Sequence, residues 1–508
     1  MANTFMNAMK SQNNFKLTEN QAVAKKSTMS KLYDLFALGG AYRTRSESDC
    51  VLLFKEAYME SPRYAMKCLT YLRDILEGQG ERRFFRVCLH WLGNNYPEAA
   101  RQNLREWVDG NFIRWDDLFV LFDTPVEREV MALIRHQLTR DMAIYNDDPR
   151  ASVSLCAKWM PSENTSSATT RHNARRVMAA LELTPREYRK MLSMLRERIK
   201  VVERLMSQNR WEEIDFSKLP SRAGLIYRNV FKSKGLIAEK YKAFAQDKTT
   251  KVNAGTLYPY DVVAAALKCM GNGYGEPALN DTERLMVNKY WDNLTDYFKG
   301  ATLNAMVVCD TSGSMTWSGN GTVKPIDVAV SLALYTAERA KGPFANHYIS
   351  FSHTARLVET KGVDFCDKVA RIVSTNLCEN TNLQSVFDLV LNTAMQNNVD
   401  PEDMPKTLIV VSDMEVDSAT GHYGYQKTDF MSSIRQKWEA RCGGWYDFPN
   451  LVYWDVNARN NTFLEDSKTG VTFVSGCSPV LYEQIMSGKT SIDLMLEKLN
   501  SERYNAIH

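Results

Sequence analysis

Asp310, Ser312 and Ser314 stand at alternate positions in "VVCDTSGSM", directly after a run of apolar residues that reads as a buried strand. Asp413 ends a second such run in "LIVVSDMEVD", and Thr381 lies between the two in "LCENTNLQS", in a loop just before a helix. Two carboxylates and three hydroxyls make an all-oxygen donor set, suited to the hard cation Mg²⁺ and poor for zinc. Mg²⁺ prefers six near-octahedral ligands and keeps waters readily, which leaves an exchangeable position for an acidic group of a partner. A competing reading has Ser312 and Ser314 capping the following turn, with Asp310 and Asp413 as separate carboxylates. Glu415 and Asp417 add acids of the kind a two-metal nuclease uses, but the hydroxyl-rich set favours ligand capture over hydrolysis.

No catalytic constellation emerges elsewhere. The seven histidines (His90, His136, His172, His347, His353, His422, His508) lack HExxH spacing, and neither a GxSxG elbow nor a Walker sequence is present. His353 and His422 fall near the metal-bearing stretches, where strand and loop polarity explains them equally well. The Gly-rich "CMGNGYGEP" has no strand before it and no GKS/T ending, so it is not read as a phosphate loop. Binding rather than enzymatic turnover is the expectation.

The elements that must position these residues are of two kinds. From about residue 28 to residue 300 apolar residues recur at helical spacing, with Pro62, Gly78, Gly80 and Pro97 marking boundaries. Paired helices of this length suggest stacked hairpins of the HEAT kind. In "REYRKMLSMLRERIKVVERLM", Tyr188, Leu192, Leu195, Ile199, Val202 and Met206 fall on one helical face, with Arg189, Arg196 and Lys200 on its shoulder. That shoulder is either a solvated flank or part of a basic surface. After residue 300 the pattern changes to short β-rich runs, "LNAMVVCD", "NHYISFS", "KTLIVVSD" and "NLVYWDVN", with helical stretches between them. Such alternation predicts a doubly wound α/β domain, a parallel sheet with helices on both faces, whose functional loops gather beyond the carboxyl ends of the strands. The expected division is a polar segment over 1–27, a helical-repeat domain over 28–300 and an α/β domain over 301–508.

Composition sets the remaining bounds. A chain of 508 residues is too long for one ordinary core. Its net charge of +3 announces no nucleic-acid binder, yet between Arg150 and Lys248 roughly 21 Lys and Arg face about 10 Asp and Glu. Ten scattered cysteines without CxxC spacing favour a reducing compartment. The N-terminus is polar, with no signal-peptide core, and no apolar run is long enough for a membrane span, so a cytoplasmic protein is expected.

Several stretches resemble a known family. "KLYDLFALGGAYR", "YAMKCLTYLRDILEGQGERRFFRVCLHWL" and "GTLYPYDVVAAAL" are similar to segments of the TROVE module of the Ro autoantigen family. "LCAKWMPSENTSS", "KLPSRAGLIYRNVFKSK" and "VTFVSGCSPVLYEQIM" look closer to a related group of bacterial, phage and plant proteins with the same two-part layout. The C-terminal part resembles a von Willebrand factor A domain, and Asp310, Ser312, Ser314, Thr381 and Asp413 match its metal-ion-dependent adhesion site. The resemblance implies a helical ring closed within one chain, so that a monomer suffices, binding noncoding or misfolded RNA. On that implication the candidate RNA surface is Lys158, Arg171, His172, Arg175 and Arg176, with Arg222, Arg228, Lys232 and Lys234. Lys and Arg hold phosphates whatever the base sequence, so the implied affinity is strongly salt dependent. His172 is open to base stacking or to a plain surface role, and Trp159 and Tyr227 to stacking or core packing. The alternative implied by the metal set alone is a protein-assembly factor that grips a partner carboxylate without RNA.

Overall fold

A computed structural model describes residues 13–148, 150–270, 281–317, 323–374, 379–418, 430–465, 471–486, 489 and 491–508. His422 and residues 271–277 of the Gly-rich stretch lie outside the described residues. The chain forms two compact units, one of residues 1–68 and 254–502, the other of residues 69–253 and 503–508. The unit that holds the sheet thus takes in helices from the N-terminal side of residue 300. The helix Lys31–Leu38 packs on the last strand of the sheet, and the helix Pro259–Met270 packs on the helix Pro325–Arg339.

The first unit begins with a hairpin, β1 (Phe15–Leu17) and β2 (Val23–Lys25), paired antiparallel within the polar segment where the sequence pattern predicts no strand. Its main sheet has six strands, β3 (Ala305–Asp310), β4 (His347–Phe351), β5 (Ala355–Glu359), β6 (Thr407–Ser412), β7 (Asn450–Asp455) and β8 (Val471–Ser475). Their order is β5-β4-β3-β6-β7-β8, parallel throughout except for β5 against β4. The sheet is therefore mixed rather than all-parallel as expected, for a physical reason: only Ser352–Thr354 separate β4 from β5, too few residues for a parallel crossover. All six residues of β3 are buried, as befits a central strand covered on both faces. In β5 burial alternates, as on an edge strand with one face wet. Since β3 pairs with β4 on one side and β6 on the other, the switch point falls between β3 and β6.

The second unit is helical. The helix Arg82–Asn95 packs on Pro97–Asp109, Glu127–Asp147 on Ala168–Leu181, and Ser221–Ser233 on Gly235–Gln246. A full capping box of Thr184 and Glu187, with Pro185 at the first turn, starts the helix Pro185–Arg198. It buries Tyr188, Leu192 and Leu195 as the spacing predicts. The single helical face expected to run on to Met206 is interrupted, because Lys200 takes a left-handed conformation (φ 57°) and a separate helix, Val202–Ser207, begins after it. The last residues of the chain belong here too. Tyr504 stacks on Phe112 with centroids 5.6 Å apart, and its hydroxyl donates to Asp74 at 3.0 Å.

The eight cysteines for which the structure places a side chain are all unbridged, and all but Cys442 are buried. No described helix is long and apolar enough to cross a membrane.

Candidate functional site

β3 and β6 run side by side and end together, so Asp310 and Asp413 come to the same sheet edge at the switch point. Asp310 is fully buried. The Ser312 amide donates to its Oδ1 at 2.9 Å, and the Ser412 hydroxyl donates to its Oδ2 at 2.5 Å. The Ser312 and Ser314 hydroxyls lie 3.2 Å apart, and Ser314 stands beside the Asp413 carboxylate, where its hydroxyl favours the charged form. Asp413 Oδ1 accepts weakly from the Glu415 amide at 3.3 Å. Its Oδ2 lies 3.1 Å from the Arg459 guanidinium but accepts no hydrogen bond among the described residues. Asp310, Ser312 and Ser314 are thus linked by hydrogen bonds, with Asp413 beside them.

Thr381, the fifth, is buried in a loop stitched to both neighbouring segments. Its carbonyl accepts from the Asp417 amide at 2.9 Å, and the Gly313 amide donates to the carbonyl of Glu379 at 2.9 Å. His353 is exposed, and its carbonyl accepts from Asn382 at 3.1 Å.

The charge balance of this edge is lopsided. Asp310, Asp413, Glu415 and Asp455 are all buried, and Asp455 stands beside Ser412 across the β6–β7 ladder. Asp455 Oδ1 accepts from the Asn457 amide at 2.9 Å, while its Oδ2 has no hydrogen-bond partner among the described residues. Glu415 is well held, by the Thr462 hydroxyl at 2.9 Å and the Glu19 amide at 2.7 Å. Arg459 offsets part of this charge but also pairs with the Glu19 carboxylate at 2.7 Å. Burial, reinforced by the charge of Asp413, pushes the Asp310 carboxyl up to about 7. Burial likewise raises Asp413 against the pull of Arg459, and raises Asp455 with help from Asp413 and Glu415. Among the described residues no three His, Cys, Asp or Glu side chains form a metal-binding group, so any cation here depends on the serine hydroxyls as well as on the carboxylates. Chemically this is an all-oxygen sheet edge with more buried carboxyl groups than the neighbouring Arg459 can offset, the donor set of a hard cation.

Arg459 and Asp455 escaped the reading of the sequence. Asp455 carried the same signal as Asp310 and Asp413, an aspartate closing an apolar strand. Arg459 has no local signal at all, because only the tertiary fold brings its loop to Asp413.

The basic residues fall into two groups on different helical pairs. On Ala168–Leu181, Arg175 and His172 are exposed. Arg171 instead donates to the carbonyls of Thr165 and Ser166 at 2.6 and 2.8 Å, and Arg176 pairs with Asp123 at 2.7 Å and with Glu127. On Ser221–Ser233, Arg228 donates to the Leu225 carbonyl at 2.7 Å, and neither Arg222 nor Lys232 is without a partner. Lys158 and Lys234 sit over Trp159 and Trp211, at 5.3 and 5.0 Å from the ring centroids. Tyr227 is half-buried and donates to Glu203 at 3.0 Å.

Fold and site define a two-part protein, a helical portion and a mixed α/β sheet with a buried acid and hydroxyl edge. Residues 18–117 and 126–302 match the family described as "Domain of unknown function (DUF2828)", and by that match the chain belongs to this family. Residues 304–506 match the "Domain of unknown function (DUF7788)". Neither description names a TROVE or von Willebrand factor A domain. A relative from Acanthamoeba polyphaga mimivirus, "Uncharacterized protein L728", is 29% identical over 515 residues, covering 94% of this chain and 85% of the relative. Among solved structures, the Deinococcus radiodurans RO (RSR) protein aligns over 94% of this chain and 100% of its own, at a TM-score of 0.46 and 14% identity. That likeness is too distant to transfer a function.

Proposed function

We propose that this protein binds Mg²⁺ at the carboxyl edge of its sheet, presents the ion to an acidic group of a partner, and holds noncoding or misfolded RNA on its helical unit. It acts by binding, without turnover. The observation that carries this reading is the meeting of Asp310, Ser312, Ser314 and Asp413 around buried negative charge, with one Asp413 oxygen accepting no hydrogen bond among the described residues. The donors fit the ion, being oxygen only and rich in hydroxyls. Those four residues would hold it, with Thr381 in the adjoining loop, and bound Mg²⁺ would supply an electrostatic anchor for a carboxylate or phosphate oxygen. The chain's own part is to orient Asp310 through Ser412 and the Ser312 amide, and to offset Asp413 with Arg459.

Support for the RNA half comes from the basic stretch between Arg150 and Lys248 and from the TROVE-like segments. Arg175 is exposed on its helix and has no partner among the described residues, and its contact would be to phosphate. Thermal melts with and without Mg²⁺, paired with RNA retention at low salt, test the two halves separately. Asp310→Ala with Ser312→Ala should lose the Mg²⁺-dependent stabilisation and keep RNA. A double variant that still responds to Mg²⁺ removes the site assignment, and a pure protein that retains no RNA at low salt removes the RNA half.

A second reading, a protein-assembly factor without RNA, is favoured by the commitment of Arg171 and Arg176 to partners within the chain. Under it, partner capture depends on Asp310 and Mg²⁺ while no nucleic acid copurifies.

A further inference from the structure

The helical unit carries a charged centre of its own, opposite in sign to the acidic sheet edge. Arg73 and Arg86 clamp the buried Asp117 at 2.7 and 2.6 Å, and Arg86 and Arg114 share Asp116 at 2.7 and 3.0 Å. Arg82, one turn before Arg86 on the same helix face, is exposed and has no hydrogen bond or ion pair among the described residues. Four guanidinium groups therefore face two carboxylates, and both carboxylates are already taken.

We infer that Arg82, Arg86 and Arg114 form an oxyanion site for a phosphate group. The geometry is pre-organised on two sides. Asp116 and Asp117 hold Arg86 and Arg114 in place, and Trp159 backs Arg114 with its ring centroid 3.9 Å from the guanidinium carbon. The segment bearing Arg114 packs directly on the helix Arg82–Asn95, which begins at Arg82, so that helix's dipole adds positive potential at the same place. Asp116 and Asp117 take the Nε and Nη2 groups of Arg86 and Arg114, which leaves their Nη1 groups and the Arg82 fork for phosphate oxygens, and a phosphate can engage several such donors at once. Although the Arg82 side chain reaches solvent, partial desolvation of its guanidinium and then the like charge of Arg114 hold it down to about 10, against the pull of Asp117. An incoming anion relieves that repulsion. The occupant is a phosphate oxyanion, either free or part of an RNA backbone. Free phosphate binding is expected whether or not the proposed RNA function holds.

Isothermal titration of the full-length protein with inorganic phosphate at low ionic strength tests the site. Saturable binding is expected, weakened at least about tenfold in Arg82→Ala, with Arg82→Lys in between because it keeps the charge and loses the fork. Arg82 makes no pair among the described residues, so the variant should keep the circular dichroism spectrum of the parent. Repeating the titration with a short single-stranded RNA distinguishes the sources. Phosphate that displaces the RNA marks a backbone phosphodiester as the occupant, and binding of both together marks free phosphate. Absence of saturable phosphate binding, or an Arg82→Ala protein that binds like the parent, overturns the inference.

Discussion

Arg459 lies 3.1 Å from Asp413 and, through the same guanidinium, 2.7 Å from Glu19, tying a buried site carboxylate to the N-terminal hairpin. The tie is reinforced on both sides. The Lys25 and Phe463 backbones exchange hydrogen bonds of 2.7 and 3.1 Å, and the Thr18 hydroxyl donates to the Val416 carbonyl at 2.8 Å. A strap formed by residues 15–25 is thereby fastened beside the acid edge.

Removing the cation should expose what it offsets. Arg459→Met leaves Asp413 buried without its ion pair, a loss on the order of 3 kcal/mol in the metal-free protein. Under the proposed function the same variant gains a larger increment from Mg²⁺ than the parent. Chemical denaturation with and without the ion measures both, and an unchanged increment would separate Arg459 from the site.

Asp310→Asn should act with opposite signs in the two states. The folded carboxyl is raised to about 7, so its ionised form is disfavoured by folding, and the stability it contributes falls as pH rises from about 4 through 7. Neutral asparagine removes that penalty, and at pH 8 the metal-free variant should melt above the parent. Its response to Mg²⁺ should vanish. A lower melting temperature without the ion would show that Asp310 is stabilised as an anion.

Asp117 predicts a pH effect of the other sign. Burial alone would raise its carboxyl, but Arg73 and Arg86 hold it below the usual carboxylate range. Its contribution is present above the unfolded value near 3.9 and is lost as pH falls through the depressed folded one. Asp117→Asn should cost about 3 kcal/mol at neutral pH, with the difference from the parent shrinking below pH 4. Urea midpoints across that range check it, and a constant difference would sink the assignment.

Gly40 tests the docking of the helix Lys31–Leu38 on β8. A Cβ there would run into the Ser475 carbonyl oxygen, and the Gly40 amide donates to the Ser475 hydroxyl at 3.1 Å. Gly40→Ala should destabilise by about 1–3 kcal/mol. Unfolding midpoints equal to the parent's would mean that this contact gives way without cost.

What the sequence determined by itself is whatever local chemistry encodes. Strands β3, β4, β6 and β7 are legible because continuous apolar runs must be buried on both faces, and Asp310, Ser312, Ser314 and Asp413 are legible because polar residues end such runs. The helix Pro185–Arg198 is legible from its spacing and its cap. Tertiary structure decided the rest. β5 carries little apolar signal because one face is wet, and the hairpin of residues 15–25 is held largely by backbone pairing to residues distant in sequence. Which arginines remain available was settled in the same way: Arg171 and Arg176 look as free as Arg82 along the chain, but folding brings acceptors to the first two, while among the described residues Arg82 meets other arginines and an Asp117 already held by Arg73 and Arg86. Charge type is a property of the residue, whereas its neutralisation depends on neighbours that only the fold supplies.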